Sequence, residues 1–464
     1  MRDKYTFAYS IVFTIVFLLL FITITFVYNR TPENSKLSDT TTDLTNKSLG
    51  ACVVQYNAAI TCPRKFSNLT TIQNCLQGSN GIELISEESF STDEFNKVFA
   101  TPKYKIHGSE QEALTTVQMA LKMKDSMKFE KAKKLFEHAL VLQPLHPDVL
   151  NHYAEFLEDT MYDIITADHL YVKALILCPN HSRALINRRR TMPLVEIMDQ
   201  RELDRIHRKR IDLMLFNHNQ SSTKRIKKEV YFLHIYHTLA IEGNTMSVAQ
   251  TRTVVETKTV VPGKSIMEHN EILGLESALR YINKTHVINS ENLTILDILE
   301  IHKRVLGHVD PLSAGTFRRN QVFVGDYVPP AASDVEYLME KFLDWFQSRN
   351  MQHLHPVKQA ALAHYKLAHI HPFVDGNGRT ARLLMNLVLM RAGYPPVIIR
   401  KQDRSIYFNT LQMANEGDVR PFVRFIAHCI ECTLDVYLNS QRYDTPCFRT
   451  LKMKMSNSNT IIPL

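Results

Sequence analysis

The chain is 464 residues long, 45% hydrophobic and 22% charged, an ordinary globular balance with room for two or three domains. Its formal net charge of +8 is mild. The basic clusters Arg188-Arg189-Arg190 and 205–210 lie in helical patterns beside acidic residues, so they read as solvated helix faces and speak against a nucleic-acid partner.

Residues 5–29 carry no charge, and 7–27 are rich in Phe, Ile, Leu and Val, a run long enough to cross a bilayer as a helix. It ends on Thr25-Phe26-Val27-Tyr28 rather than on small residues, which favours a retained anchor over a cleaved signal peptide. Arg2 and Lys4 precede it, so the positive-inside rule places a short cytosolic tail at 1–4 and the rest of the chain across the membrane. Glycosylation sequons agree with that side, at Asn29, Asn46, Asn68, Asn180, Asn219, Asn283 and Asn292. Cys52, Cys62 and Cys75 sit close together and can pair in an oxidising compartment. Cys429-x-x-Cys432 has no second pair at zinc-site spacing and lies in a helical pattern, so it is not read as a metal site.

The stretch 30–105 is polar, without sustained period, and reads as a stalk. After it Ala139-Leu140-Val141-Leu142-Gln143-Pro144 recurs as Ala174-Leu175-Ile176-Leu177-Cys178-Pro179, a displacement of 35. That spacing fits two tetratricopeptide-type helix pairs over 106–180, closed by Pro144 and Pro179. A linker helix over 181–226 is expected to cap them. Beyond the polar break at 217–224 a helix starting near Lys227 carries Thr238 and Glu242 on one face, with Gly243 and Asn244 as its C-cap. Alternation around Gly325-Asp326, from Gln321 to the prolines Pro329 and Pro330, predicts a small hairpin in otherwise helical surroundings.

The densest chemistry falls between a helical run at 360–370 and an almost continuously apolar one at 380–392. Gly376 and Gly378 free the backbone to aim successive N–H groups at one centre, where the next helix presents its unpaired amides. Arg379 and Arg382 extend from the first turn toward the same place, and planar guanidinium groups suit phosphate oxygens. Asp375 offers the hard oxygen that a nucleotide-bound Mg²⁺ prefers, and His371 titrates near neutrality. These residue types predict nucleotidyl or phosphoryl transfer to a hydroxyl.

The string His371-Pro372-Phe373-Val374-Asp375-Gly376-Asn377-Gly378-Arg379 also matches the Fic family signature, His-Pro-Phe-x-Asp-Gly-Asn-Gly-Arg, at every fixed position. By resemblance the chain is identified as a member of that family over roughly 105–440, similar to its single-span endoplasmic-reticulum protein adenylyltransferases. The resemblance implies an all-α fold: an N-terminal transmembrane helix, tetratricopeptide repeats, a linker helix and a helical Fic domain at 227–440 with a β-hairpin flap, then a disordered tail at 441–464. It implies a type II membrane protein whose lumenal part moves AMP from ATP, with Mg²⁺ or Mn²⁺, to Ser or Thr hydroxyls of the chaperone BiP, and also removes it. His371 would be the base and Asp375 the metal ligand. ATP contacts would come from Val324, Gly325, Asp326 and Tyr327 in the flap, from Asp375, Gly376, Asn377, Gly378, Arg379, Thr380, Ala381 and Arg382 in the loop, and from Tyr407, Phe408 and Asn415. Where this chain has Asp326 the family carries basic or neutral residues. Thr238 to Asn244 resembles the family's inhibitory motif, which sets Glu242 against Arg382, and Ile266 matches the apolar contact of a homodimer. Two other readings stand beside this one, a membrane-tethered repeat scaffold with a silent Fic site and a Fic enzyme that transfers a different group.

Overall fold

A computed structural model describes residues 108–215, 221–286, 293–325 and 327–442. The expected span at 5–29, the stalk with Cys52, Cys62 and Cys75, Asp326, and the tail from 443 onward lie outside the described residues. Among the described residues no helix is long and apolar enough to cross a membrane.

The described chain begins with four helices, α1 (Glu110–Asp125), α2 (Phe129–Leu142), α3 (Pro147–Phe156) and α4 (Ile164–Leu177). Helix α1 opens where the Ser109 hydroxyl accepts from the Glu112 amide, with acids in its first turn and Lys122 and Lys124 in its last. The repeat seen in the sequence reappears in the backbone. Helices α2 and α4 are both 14 residues long, and both end in nearly the same geometry, φ −137 and ψ 79 at Gln143 against φ −140 and ψ 87 at Cys178. Alanines at Ala113, Ala120, Ala132, Ala139, Ala154, Ala167 and Ala174 are fully buried, so the helices approach closely around Phe136, Tyr153 and Phe156. The Phe136 and Phe156 ring centroids are 5.1 Å apart.

Helix α5 (Ser182–Leu215) covers this core and runs on into the remainder of the protein. On the repeat side Thr191 donates to Asp168 and Arg190 makes a forked contact with Glu158. Farther along, Arg205 forks onto Glu431, and Asp199 receives Arg424, both partners lying on the last helix, α15 (Arg420–Arg442). A buried ion cluster adds a second joint. Arg420 reaches both Asp418 and Asp168, and His169 Nδ1 lies 2.9 Å from Asp418 Oδ2. The cluster holds the Asn415-Glu416-Gly417-Asp418 turn against α4.

Helix α6 (Ser221–Ile241) starts earlier than the expected Lys227, because a polar run that reads as a break is also an acceptable solvated helix start. It ends as expected. Gly243, at φ +109, donates to the Ala240 carbonyl and Asn244 donates to Leu239, the paired bonds of a Schellman termination that turn Glu242 out of the helix. Helices α7 (Val248–Thr257), α8 (Ile266–Tyr281) and α9 (Ile295–Leu306) each open with a reciprocal capping box, Ser247 with Gln250, Ser265 with Glu268, and Thr294 with Asp297.

After α10 (Val335–Phe346) and the short α11 (Arg349–His353), the central pair is α12 (Pro356–Ile370) and α13 (Asn377–Arg391). Leu383, Leu384, Met385, Leu387, Val388 and Leu389 are all buried, as a helix apolar on nearly every face requires. Helix α14 (Arg404–Asn415) and α15 close the domain. The hairpin expected at 321–328 shrinks in the structure to one antiparallel bridge. Val324 and Tyr327 exchange both backbone hydrogen bonds at 3.0 Å around Gly325, and no strand extends from them among the described residues.

Candidate active site

The loop between α12 and α13 is held by its own side chains. Asn377 accepts from the Phe373 amide at 2.9 Å and returns a bond to the Phe373 carbonyl at 2.8 Å, closing a small ring. His302 of α9 stacks flat on Phe373, centroids 3.6 Å apart, and bonds the Asp375 carbonyl through Nε2 while Nδ1 accepts from the Gly315 amide. A Cβ on Gly376 would come within 3.2 Å of that imidazole, and Gly376 also has φ +78, so glycine is needed there twice over. Arg318 lies under the loop. Its backbone amide donates to the Pro372 carbonyl, its Nε to His371, and its other nitrogens to Asn320 and Pro330, which ties the foot of the flap to the loop.

His371 ends α12 in the left-handed conformation at φ 50, a placement that costs a non-glycine residue about 1–2 kcal/mol. The turn brings Nδ1 within 3.1 Å of the Ala368 carbonyl. A carbonyl only accepts, so Nδ1 carries the proton and Nε2 keeps the lone pair. Burial holds the imidazole pKa below its ordinary value, against the opposing pull of the Ala368 carbonyl, so the ring is neutral at pH 7.

Asp375 turns Oδ1 onto the Gly376 amide and Oδ2 onto Arg379, both at 2.6 Å. Burial alone would raise its pKa, but the Arg379 guanidinium and that amide outweigh it and keep the carboxyl below its ordinary range. The Gly376 amide is thereby occupied. Because the first intrahelical bond comes from Thr380, the amides left outside the helical ladder are those of Asn377, Gly378 and Arg379. Thr380 and Ala381 are fully buried, and the Thr380 amide is taken by the Gly376 carbonyl.

Arg382 is 2% exposed and its partners come from far away in sequence. It donates to Glu242 Oε1 at 2.6 Å, to the Thr238 carbonyl at 3.1 Å and to the Tyr407 hydroxyl at 3.2 Å. Tyr407 is itself buried, its hydroxyl also 3.0 Å from His364 Nε2, so it positions Arg382. Glu242 Oε1 lies where a Cβ on Gly378 would meet it at 2.6 Å. The carboxylate thus lies against the first turn of α13, the end of a helix that favours an anion. Two further buried donors, Arg379 Nη1 and Arg382 Nε, have no hydrogen-bond acceptor among the described residues.

Phe408 is partly exposed with Arg404 4.8 Å over its ring, and Asn415 Oδ1 is 3.0 Å from His369 Nδ1. Val324 and Gly325 lie at the flap surface, and Tyr327 hangs from His369. Ile266 is 76% exposed beside the exposed Met267, leaving an apolar face at the start of α8. Asn283 is exposed on the turn after α8. Arg318, His302, His369 and Glu271, whose Oε1 lies 3.6 Å from Arg379 Nη1, were not singled out from sequence, since each acts on segments tens of residues away and leaves no local pattern.

A helical domain that places a neutral histidine, a carboxylate and two buried arginines around one helix N-terminus defines a class of phosphate-handling proteins. Residues 292–389 match the model of the Fic/DOC family. The chain is 57% identical over 330 residues to Protein adenylyltransferase Fic of Aedes aegypti and 57% identical over 328 residues to that of Drosophila willistoni; each match covers 71% of this chain and 66% of the relative, so the chain spans about two thirds of their length. It also superposes on a solved segment of Fic-1 from C. elegans, 40% identical, with TM-score 0.68, over 72% of this chain and 100% of that one. The chain belongs to the Fic family.

Proposed function

We propose that this protein transfers AMP from ATP to a Ser or Thr hydroxyl of another protein, and that Glu242 restrains it. The observation that carries this is the carboxylate on Arg382 above Gly378, in the anion seat of α13 and beside a neutral His371. The two insect relatives bear the name of that activity. In the reaction His371 Nε2 takes the proton of the target hydroxyl as its oxygen bonds to the α-phosphorus. The bond from that phosphorus to the bridging oxygen breaks and pyrophosphate leaves, its charge held by Arg379, Arg382 and the amides of Asn377 and Gly378.

Among the described residues no cluster of three or more His, Cys, Asp or Glu could cage a metal ion. A single half-exposed carboxylate, Asp375, instead fits Mg²⁺ carried in on phosphates, which takes one or two protein oxygens and keeps its waters. When bound, the metal would neutralise phosphate charge. Offering the protein α-labelled ATP, α-labelled UTP and CDP-choline labelled in its choline in parallel tests the reading, with labelling of protein by ATP expected, and labelling only by another donor assigning a different group transfer.

The same site supports AMP removal, with Glu242 orienting a water toward the phosphorus of the modified hydroxyl. The likeness to endoplasmic-reticulum members supports a lumenal target of the BiP kind, with the helix pairs of α1–α4 as its docking arm and the chain anchored by its apolar N-terminal run. Exposed sequons at Asn180 and Asn283 fit that placement. Glycosidase treatment of protein from cells is expected to raise its gel mobility, and digestion of the α6–α15 region by protease outside intact microsomes would contradict it. The exposed face at Ile266 supports a homodimer. Ile266→Asp is expected to sediment as a monomer, and a persisting dimer would remove the residue from the interface.

A further inference from the structure

The flap is fixed at its foot by Arg318 and at its other side by a contact of a different kind. The Tyr327 hydroxyl lies 2.8 Å from the His369 carbonyl and 3.0 Å from His369 Nδ1. The same Nδ1 is 3.0 Å from Asn415 Oδ1 at the end of α14. An amide oxygen only accepts, so Nδ1 carries the ring proton, and the tyrosine hydroxyl gives its own proton to the carbonyl. One imidazole N–H therefore faces an acceptor on the flap and an acceptor on α14, with the Tyr365 hydroxyl farther off at 3.4 Å. Tyr365 closes the arrangement, its hydroxyl bonding the Ala414 carbonyl at 2.9 Å, with its ring centroid 5.4 Å from that of His369. The Tyr327 and His369 rings also lie 5.0 Å apart.

We propose that Tyr327, His369 and Asn415 form a clamp that sets the angle of the flap, and that His369 is a positioning residue for the protein substrate. The inference rests on the proposed transfer to a protein hydroxyl, and takes the exposed flap edge at Val324 and Gly325 as the place where an extended target segment adds. The bridging residues Val324 and Tyr327 flank Gly325, at φ +58, and among the described residues no further strand stiffens the bridge. Without the clamp the flap is held at its foot, by Arg318 and by the bond from Gln321 to the Pro329 carbonyl, and an extended peptide adding along the edge meets a moving template. His369 sits two residues before His371 on the last turn of α12, so the flap is referenced to the element that carries the base. The clamp therefore acts on how well the target is held, while proton removal by His371 is left as it is.

The test uses the full chain carrying Glu242→Gly, with ATP saturating and BiP as acceptor. Tyr327→Phe removes the hydroxyl and is expected to raise the KM for the acceptor about five- to tenfold, the equivalent of one ordinary hydrogen bond. His369→Leu is expected to raise it about threefold with kcat changed less than twofold, since the His369 carbonyl remains. His369→Asn, which keeps an N–H near the position of Nδ1, is expected to stay within twofold of the parent. The Tyr327→Phe, His369→Leu double variant is expected to be no worse than Tyr327→Phe alone. Hydrogen exchange at the Val324 and Tyr327 amides of otherwise wild-type chain gives a readout independent of turnover, and is expected to quicken about tenfold in Tyr327→Phe while α13 is unchanged. Unchanged exchange overturns the clamp, as does a fall in kcat without a rise in acceptor KM or strict additivity in the double variant. A parent that labels no acceptor at all counts instead against the transfer reading, and the exchange result then decides the clamp alone.

Discussion

Glu242→Gly is expected to transfer AMP at least ten times faster than the wild-type chain. The carboxylate bonds a guanidinium that is 2% exposed while being 32% exposed itself, and it lies 2.6 Å from where a Cβ on Gly378 would stand. A charge-assisted contact of this kind contributes about 1.5–3 kcal/mol, or one to two decades in the occupancy of the seat by a phosphate in its place. Removing it leaves Arg382 still anchored by the Thr238 carbonyl and Tyr407, so the seat stays formed and becomes open to ATP. The same substitution is expected to abolish AMP removal, because nothing else at that position would orient a water. Rates of both reactions measured on one preparation check this, and a variant with both unchanged, or both lowered, would return 238–244 to an ordinary capped helix end.

His371→Ala is expected to lower transfer by about a hundred- to ten-thousand-fold with ATP affinity nearly intact. The ring acts on the incoming hydroxyl through Nε2, whereas the phosphates are held by Arg379, Arg382 and the first amides of α13. The pH dependence follows from burial. A base works deprotonated, so its contribution is present above its folded pKa and lost as pH falls through it. Because burial holds that pKa below the ordinary histidine value of about 6.5, the acid limb of kcat/KM is expected to lie below it. Rate profiles and nucleotide titrations on the two proteins check both parts, and unchanged turnover in the variant would take His371 out of the role.

Much of this was legible because its causes are local. The repeat over α2 and α4, the buried character of α13, the glycine turn of α6 and the loop composition each show within a dozen residues. The Glu242 contact with Arg382 spans 140 positions and was reached through family resemblance rather than spacing. What could not be read was support from a distance. His302 orients the loop through the Asp375 carbonyl from 73 positions away, and Arg318 reaches 53 positions to His371, each through a backbone acceptor that every residue type supplies. The flap was overdrawn for a related reason. Alternation predicts which faces a strand would have, but among the described residues one pair there forms a bridge, and the Tyr327 hydroxyl goes to His369. The occupied Gly376 amide was likewise invisible, since a glycine-rich loop reads as a cradle whichever of its amides remain outward.

The most direct measurement compares the fate of two labels. The Glu242→Gly chain is incubated with an acceptor protein and Mg²⁺, once with ATP labelled in its α-phosphate and once with ATP labelled in its γ-phosphate. Protein labelled by the first and not by the second, with a mass gain of one AMP, is the predicted result. Label arriving from the γ-phosphate would mean phosphoryl transfer, and label from neither would mean that the assembled site is silent.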